Sequence, residues 1–479
     1  MSFDYLNEND FYYATPAAKC KALKMLSENS VGAIDVLIAL RIQITIILIK
    51  THKNQQMTYS FPAASVMAPC DIPDSRSSPA WRAGLVLLAG ILALLAGCGG
   101  GGDTSASTTP APVAVDTRLS ASAQLGEKIF RDTSLSASGH VACASCHNPA
   151  NSHAQSNDLP TQLGGPDDKI AGTRAAPSLR YLNLTPAFFF AKDGTPTAGF
   201  NRDGRAATLA EQAQRPFLAA HEMANASKAD LILRLSRTAY AETFRSTFGA
   251  AILDNPELAF ERITFALQQY QKEDPDFFPF DAKYDQFLAG KVALGAAELR
   301  GLALFNNPAK GNCAACHTSA RGADGSPPLF TDFSYDNLGV PRNPAIAANA
   351  DPAYFDLGLC GPDRTDLAAR AELCGAFKVP SLRNVATRKV FFHNGRFNNL
   401  RDAIGFYVRR DTNPAEWYPL AADGSVNKFD DLPAAYKKNV NTTEVPYNRV
   451  PGMAPALSDD EITDLIAFLG TLTDHYPHP

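Results

Sequence analysis

A mainly α-helical chain built from two similar halves is the fold class the sequence predicts, and three observations predict it. The pentapeptide Cys143-Ala144-Ser145-Cys146-His147 recurs as Cys313-Ala314-Ala315-Cys316-His317. An amphipathic segment precedes each copy, Gln124 to Phe130 and Glu298 to Phe305, and another closes each half, Pro256 to Lys272 and Ser458 to Thr473. Strand signals are weak, and 33 prolines with 32 glycines fit long irregular loops between helices.

Each pentapeptide sets two thiols about one helical turn apart. That spacing forms thioethers with the two vinyl groups of a haem, while the next histidine reaches the iron. Two copies predict two covalently bound haem c groups, one on Cys143, Cys146 and His147 and one on Cys313, Cys316 and His317. A zinc knuckle or a thioredoxin-like thiol pair also uses C-x-x-C, but neither demands a histidine directly after the second cysteine in both copies. Helix, haem motif, wrapping loops and closing helix is the plan of a cytochrome c. The expected architecture is therefore two cytochrome c-like domains, 119–290 and 291–479, with Ser458 and Glu461 forming a capping box on the last helix.

The chain of 479 residues has room for these and more. A net charge of -5 and a pI of about 6.0 leave no basic footprint, which excludes nucleic acid as the expected partner. The nine cysteines sort by role. Four belong to the pentapeptides, Cys20 and Cys70 lie near the N-terminus, Cys98 ends an export signal, and Cys360 and Cys374 are spaced for a loop-closing disulfide, which an oxidising compartment permits. The signal reads as Arg76 and Arg82, an apolar run from Gly84 to Leu95 too short for a comfortable span, then Leu95-Ala96-Gly97-Cys98. That tetrapeptide resembles a lipobox in which Cys98 is lipidated, so residues 67–97 are expected to be a lipoprotein signal and 98–118, rich in Gly, Ser, Thr and Pro, a flexible tether. Residues 1–66 are expected to be an over-extended start ahead of Met67. The apolar stretch Val31 to Ile49, broken by Arg41, is the alternative membrane segment. The expected location is the periplasmic face of a bacterial membrane.

Beyond the pentapeptides, the order of Leu125-Gly-Glu-Lys-Ile-Phe130, Arg174-Ala-Ala-Pro-Ser-Leu179, Asp203-Gly-Arg-Ala-Ala-Thr-Leu-Ala-Glu-Gln-Ala213, Glu222-Met223, Val379-Pro-Ser-Leu-Arg-Asn-Val385 and Phe391-Phe-His-Asn-Gly395 resembles the bacterial dihaem cytochrome c peroxidase and MauG family. The resemblance spans about 119 to 475. It implies that hydrogen peroxide reacts at the first haem, with Gln212, Glu222 and Pro216 on its distal side. Cleaving an O–O bond heterolytically needs a proton moved between its two oxygens, and a carboxylate over an open iron can carry it. Glu222 is the expected acid/base and Gln212 the expected orienting group. Many family members close this haem with a histidine on the loop between the first motif and the Arg-x-x-Pro segment. Here the loop 159–173 contains none, which predicts an open or water-bound iron, with His153 and His221 as the candidate substitutes.

At the second haem the peroxidases carry a methionine fourteen residues after the Phe-Phe-His-Asn-Gly histidine. This chain has Tyr407 there, as MauG does, and a phenolate favours oxidised iron where a thioether favours ferrous iron. Met453, before the closing helix, is the competing ligand. The resemblance also implies a tryptophan relay before Asp-Gly-Arg, where this chain has Arg202, and a calcium ion near positions held here by Ala175, Arg388 and Lys389, so calcium is expected to be weak or absent. Two versions of the activity compete. One reduces peroxide with electrons from a small periplasmic donor protein; the other, MauG-like, oxidises side chains of a partner protein. A non-catalytic dihaem electron carrier is the alternative from another class. The family commonly forms homodimers.

Overall fold

The computed structural model describes residues 119–477. The expected over-extended start, the signal, Cys98 and the tether lie outside them. The described part is mainly helical and falls within one compact unit. No helix among the described residues is long and apolar enough to cross a membrane.

The first half opens with α1 (Ala121–Arg131), whose N-terminus is capped by the Ser120 hydroxyl. Leu125, Ile129 and Phe130 are buried on one face of it. A single turn, α2 (Cys143–Cys146), carries the first two thiols. Next come α3 (Leu209–Leu218), α4 (Lys228–Leu235), α5 (Ala241–Phe248) and the long α6 (Pro256–Glu273). Asn255 caps α6 and Pro256 occupies its first position, where a missing N–H costs nothing. The second half contains α7 (Lys283–Leu288), α8 (Ala296–Phe305), α9 (Leu400–Arg409) and α10 (Asp459–Gly470). The capping box on α10 is formed: the Glu461 backbone N–H donates to the Ser458 hydroxyl at 3.2 Å, and the Ser458 N–H donates back to the Glu461 carboxylate at 2.9 Å.

The two halves are built alike where their first and last helices cross. A Cβ on Gly126 of α1 would lie 2.1 Å from the Ala266 carbonyl oxygen of α6, and one on Gly301 of α8 would lie 2.0 Å from the Asp464 carbonyl of α10. Only glycine lets the backbones approach so closely. Aromatic residues seal each crossing, Phe130 against Tyr270 in the first half and Phe305 against Phe468 in the second. Two separate apolar cores result, one running from Leu125 to Phe277 and the other from Tyr284 to Leu472. Each fully buried Leu or Phe in them contributes about 1.5–3 kcal/mol.

Among the described residues, sheet structure is confined to three antiparallel strand pairs of two residues per strand. They pair β1 (Leu163–Gly164) with β2 (Ile170–Ala171), β3 (Phe189–Phe190) with β4 (Pro196–Thr197), and β5 (Tyr335–Asp336) with β6 (Phe377–Lys378). The last pair closes a long excursion of the second half, which the Cys360–Cys374 disulfide also pins.

Candidate functional site

Two cavities carry the titratable and ligating side chains. The first, about 180 Å³, is lined by Cys143, Cys146, His147, Gln212, Pro216, His221 and Glu222. The second, about 230 Å³, is lined by Cys313, Cys316, His317 and Tyr407. The thiols, their histidines, Gln212, Pro216, His221, Glu222 and Tyr407 thus lie on one of two walls, split as the motifs are split, whereas His153 and Met453 line neither.

Local structure explains the placement. Each pentapeptide is a single helical turn, α2 in the first copy and a 3-10 turn, Cys313–Ala315, in the second. The turn gathers its two thiols and releases the following histidine toward the cavity. His147 Nδ1 donates to the Pro177 carbonyl at 2.9 Å, and His317 Nδ1 donates to the Phe330 carbonyl at 2.8 Å. A carbonyl only accepts, so Nδ1 carries the proton and Nε2 keeps its lone pair. Burial pulls His147 down to about 4 and lowers His317 as well, which keeps both rings neutral at pH 7. Burial pushes each of the four thiols up to about 12. No group of three or more His, Cys, Asp or Glu that could hold a metal ion by itself occurs among the described residues. That argues against a zinc knuckle, which needs four such ligands. Two thiols and one neutral imidazole beside an apolar cavity, twice over, fit a haem whose macrocycle supplies the remaining ligands.

The first cavity gains its distal wall from α3 and the turn after it. Gln212 and Pro216 are four positions apart and therefore share a face. Thr208 caps the helix by accepting from the Glu211 N–H at 3.0 Å. Glu222 sits in the following turn and is tied to the β1–β2 hairpin, whose Gly165 N–H donates to the Glu222 carbonyl at 2.9 Å. The Glu222 side chain is 39% exposed, yet its Oε2 is buried without a hydrogen-bond partner. Burial raises this carboxyl above its usual value, while His221, Arg215 and Arg205 pull it back. His221 Nε2 lies 3.7 Å from Glu222 Oε1 and lines the cavity. His153, the other candidate substitute, instead turns into the core, bonded to Asp276 at 2.8 Å and stacked on Phe277 at 3.9 Å. It is a buried imidazole rather than a cavity group.

In the second cavity, Leu400, Ala403, Ile404, Tyr407 and Val408 line the wall from one face of α9. Burial, with Asp336 adding, pushes the Tyr407 hydroxyl well up. Met453 is 52% exposed and does not line this cavity. His393 is buried in the wall and stacks on Phe377 at 3.7 Å.

Some of the surroundings went unread in the sequence. Asp363, from the second half, lines the first cavity and pairs with Arg215 at 2.6 Å and Arg205 at 3.2 Å. Arg174 joins Asp203 at 2.7 Å to Asp356 at 2.6 Å. The Arg-x-x-Pro and Asp-Gly-Arg motifs signalled Arg174, Asp203 and Arg205, but no local signal marked Asp356 or Asp363 as their partners. Arg202, at the expected relay position, donates to the Ala175 carbonyl at 3.0 Å, and Arg388 donates to the Ala176 carbonyl at 3.2 Å.

Residues 120–293 match the family model for di-haem cytochrome c peroxidase. The chain is 33% identical over 366 residues to the methylamine utilization protein MauG of Paracoccus denitrificans, covering 74% of this chain and 89% of that protein. It is 29% identical over 288 residues to the cytochrome c551 peroxidase of Nitrosomonas europaea, covering 59% and 71% of the two. Among solved structures, the diheme peroxidase BthA of Burkholderia thailandensis superposes with a TM-score of 0.69 at 40% identity, over 77% of this chain and 90% of that one. With two thiol-and-imidazole cavities and this extent of similarity, the chain belongs to the dihaem cytochrome c peroxidase family and is a peroxidase-type oxidoreductase.

Proposed function

We propose that the chain reduces hydrogen peroxide at the His147 cavity and passes the oxidising equivalents through the Tyr407 cavity to a protein donor or to side chains of a partner protein. The observation that carries this is Glu222, a carboxylate with one buried, unpartnered oxygen that lines the same cavity as a neutral imidazole. Haem c, held by Cys143, Cys146 and His147 and again by Cys313, Cys316 and His317, would supply the redox chemistry in each cavity. Glu222 takes the proton from one peroxide oxygen and delivers it to the other, as a raised carboxyl suits it to do. The Gln212 amide orients the peroxide through its paired donor and acceptor. His221 and Arg215, beside the carboxylate, hold its charge when ionised. Tyr407 is the proposed second-haem ligand, since it lines the cavity and Met453 does not. We read the chain as periplasmic, tethered through lipidated Cys98, because disulfide-bonded Cys360 and Cys374 suit an oxidising compartment.

Absorption and EPR spectra of the haem-loaded protein before and after one equivalent of peroxide test the proposal. A high-spin ferric signal consumed by peroxide is expected, with Glu222→Gln slowing the consumption about 10²–10⁴-fold. Two low-spin haems indifferent to peroxide would leave an electron carrier, and an unimpaired Glu222→Gln would remove the carboxylate from the mechanism.

A further inference from the structure

One side chain lies in the walls of both cavities together with like-charged neighbours: Arg202 lines the first and the second. It precedes Asp203, and the Lys378 N–H donates to its carbonyl at 2.8 Å, so β6 holds it in place. Lys378 and Arg388 line the second cavity beside it. The three cations are poorly compensated. Among the described residues the Arg202 guanidinium bonds only the Ala175 carbonyl, through Nε at 3.2 Å and Nη2 at 3.0 Å. Arg388 bonds the Ala176 carbonyl and leaves Nε buried without a partner, and Lys378 Nζ bonds the Gly199 carbonyl. None of the three has a carboxylate at ion-pair distance among the described residues, whereas their neighbour Arg174 has two. Burial, with Arg388 and Arg174 adding, pulls Arg202 down to about 9. Burial alone pulls Arg388 down to about 10, and burial with Arg202 pulls Lys378 down to about 8. A fold that collects cations out of bulk water without anions loses several kcal/mol unless an anion joins them.

The charges of the second cavity are also segregated. Asp336 and Glu444 lie at the thiol end, where after burial they help raise Cys316. Arg202 interacts with Arg388, Arg174 and Asp356, Lys378 with Asp203 and Arg202, and Arg388 also with His147 of the first cavity. A haem carries its two carboxylates on the side of the macrocycle away from the vinyl groups. A haem held by thioethers at Cys313 and Cys316 would turn its carboxylate edge away from Asp336 and Glu444, toward the part of the lining that Arg202, Lys378 and Arg388 supply.

We propose that Arg202 is a shared anion site, taking one carboxylate from each of the two haems, with Arg388 and Lys378 completing the site on the second haem. The inference rests on the two-haem reading above but not on peroxide chemistry. A guanidinium is not oxidised at potentials a haem reaches, so Arg202 couples the two centres through its charge and through a rigid shared contact. Its positive charge disfavours the more positive ferric state at both.

Spectroelectrochemical titration of the full haem-loaded chain, resolved for the two haems, tests this alongside resonance Raman spectra of the haem carboxylate bending modes. Arg202→Met is expected to lower both midpoint potentials and shift the carboxylate modes of both haems, and Arg202→Lys to restore most of each shift. Arg388→Met is expected to lower the second potential more than the first. The proposal is overturned if Arg202→Met moves one potential or neither, or if Arg202→Lys behaves as Arg202→Met does. The haem-to-protein ratio of the unmutated chain separates the two layers of inference. Fewer than two covalent haems overturns the two-haem reading and the shared site with it, while two haems with unmoved potentials overturn the shared site only.

Discussion

Tyr407 and Met453 differ in where the fold places them relative to the second cavity. Both were candidates to complete the second haem, Tyr407 fourteen residues after the Phe-Phe-His-Asn-Gly histidine and Met453 just before the closing helix. Tyr407 falls on the same face of α9 as Leu400, Ala403 and Ile404, and that face is the cavity wall. Met453 is out in solvent. Tyr407→Phe is therefore expected to abolish the phenolate-to-iron absorption band and raise the midpoint potential of that haem. Met453→Ala is expected to leave both spectra unchanged and stability within about 0.5 kcal/mol. Glu222 makes the second residue-scale prediction. Its carboxyl keeps its proton to a higher pH than an ordinary glutamate, because burial raises it more than His221 and the arginines lower it. Only the ionised form can accept the first proton from peroxide. The rate with peroxide should thus fall as pH drops through a limb above the usual carboxylate range, and Glu222→Gln should lose that limb together with most of the rate. A pH–kcat/KM profile of both proteins checks the sign.

Among the elements, the β1–β2 hairpin has a role its short strands do not suggest. Gly164 packs against the turn that carries the distal carboxylate, so a Cβ there would lie 2.5 Å from the Glu222 carbonyl oxygen and 2.6 Å from that of His221. Backbone cannot yield as a side-chain tip would. Gly164→Ala should displace Glu222 and cost up to roughly 10²-fold in the peroxide rate, the scale of an ångström-sized misplacement, with haem content and helicity preserved. Stopped-flow kinetics against circular dichroism distinguishes that outcome from simple unfolding. The disulfide-pinned excursion plays the matching part from the other half. It brings Asp356 to Arg174 and Asp363 to Arg205 and Arg215, so the second half supplies the charges that hold the first cavity's arginines.

At the scale of the whole molecule, a buried ionic network joins the halves. Asp474, near the C-terminus, accepts from Arg180 at 2.9 Å, from the Tyr181 hydroxyl at 2.6 Å and from Asn384 at 2.6 Å, and it is fully enclosed. Removing one member of such a set leaves an uncompensated charge, so Asp474→Ala should destabilise the protein by about 3–5 kcal/mol in denaturant titrations. Asp276 belongs to the same network. Burial raises its carboxyl, but the His153 hydrogen bond and Arg180 together bring it down to about 2, below its unfolded value of 3.8. A depressed carboxylate stabilises the fold above the unfolded pKa and loses that contribution as pH falls toward the folded one. Acid should therefore weaken the joint between pH 3.8 and about 2.

Much of this was legible in the chain alone, for physical reasons that differ by feature. The thiol pairs with their histidines, the helices at each end of a half, the capping box at Ser458 and the cavity face of α9 are all local. Covalent spacing and the 3.6-residue period determine them whatever surrounds them, which is why the mainly helical plan and the candidates Cys143, Cys146, His147, Cys313, Cys316 and His317 could be named in advance, while Gln212, Glu222 and Tyr407 were named only through the family resemblance. The fate of each remaining group depended on what lay opposite it in space. His153 turned to Asp276 in the core while His221 stayed on the cavity wall, Met453 pointed away, Asp363 reached the other half's cavity, and Arg202 came to stand in both walls. Long-range pairing of charges follows no period along the chain, since its partners are chosen by burial and by the closing of loops. Only the tertiary structure could decide it.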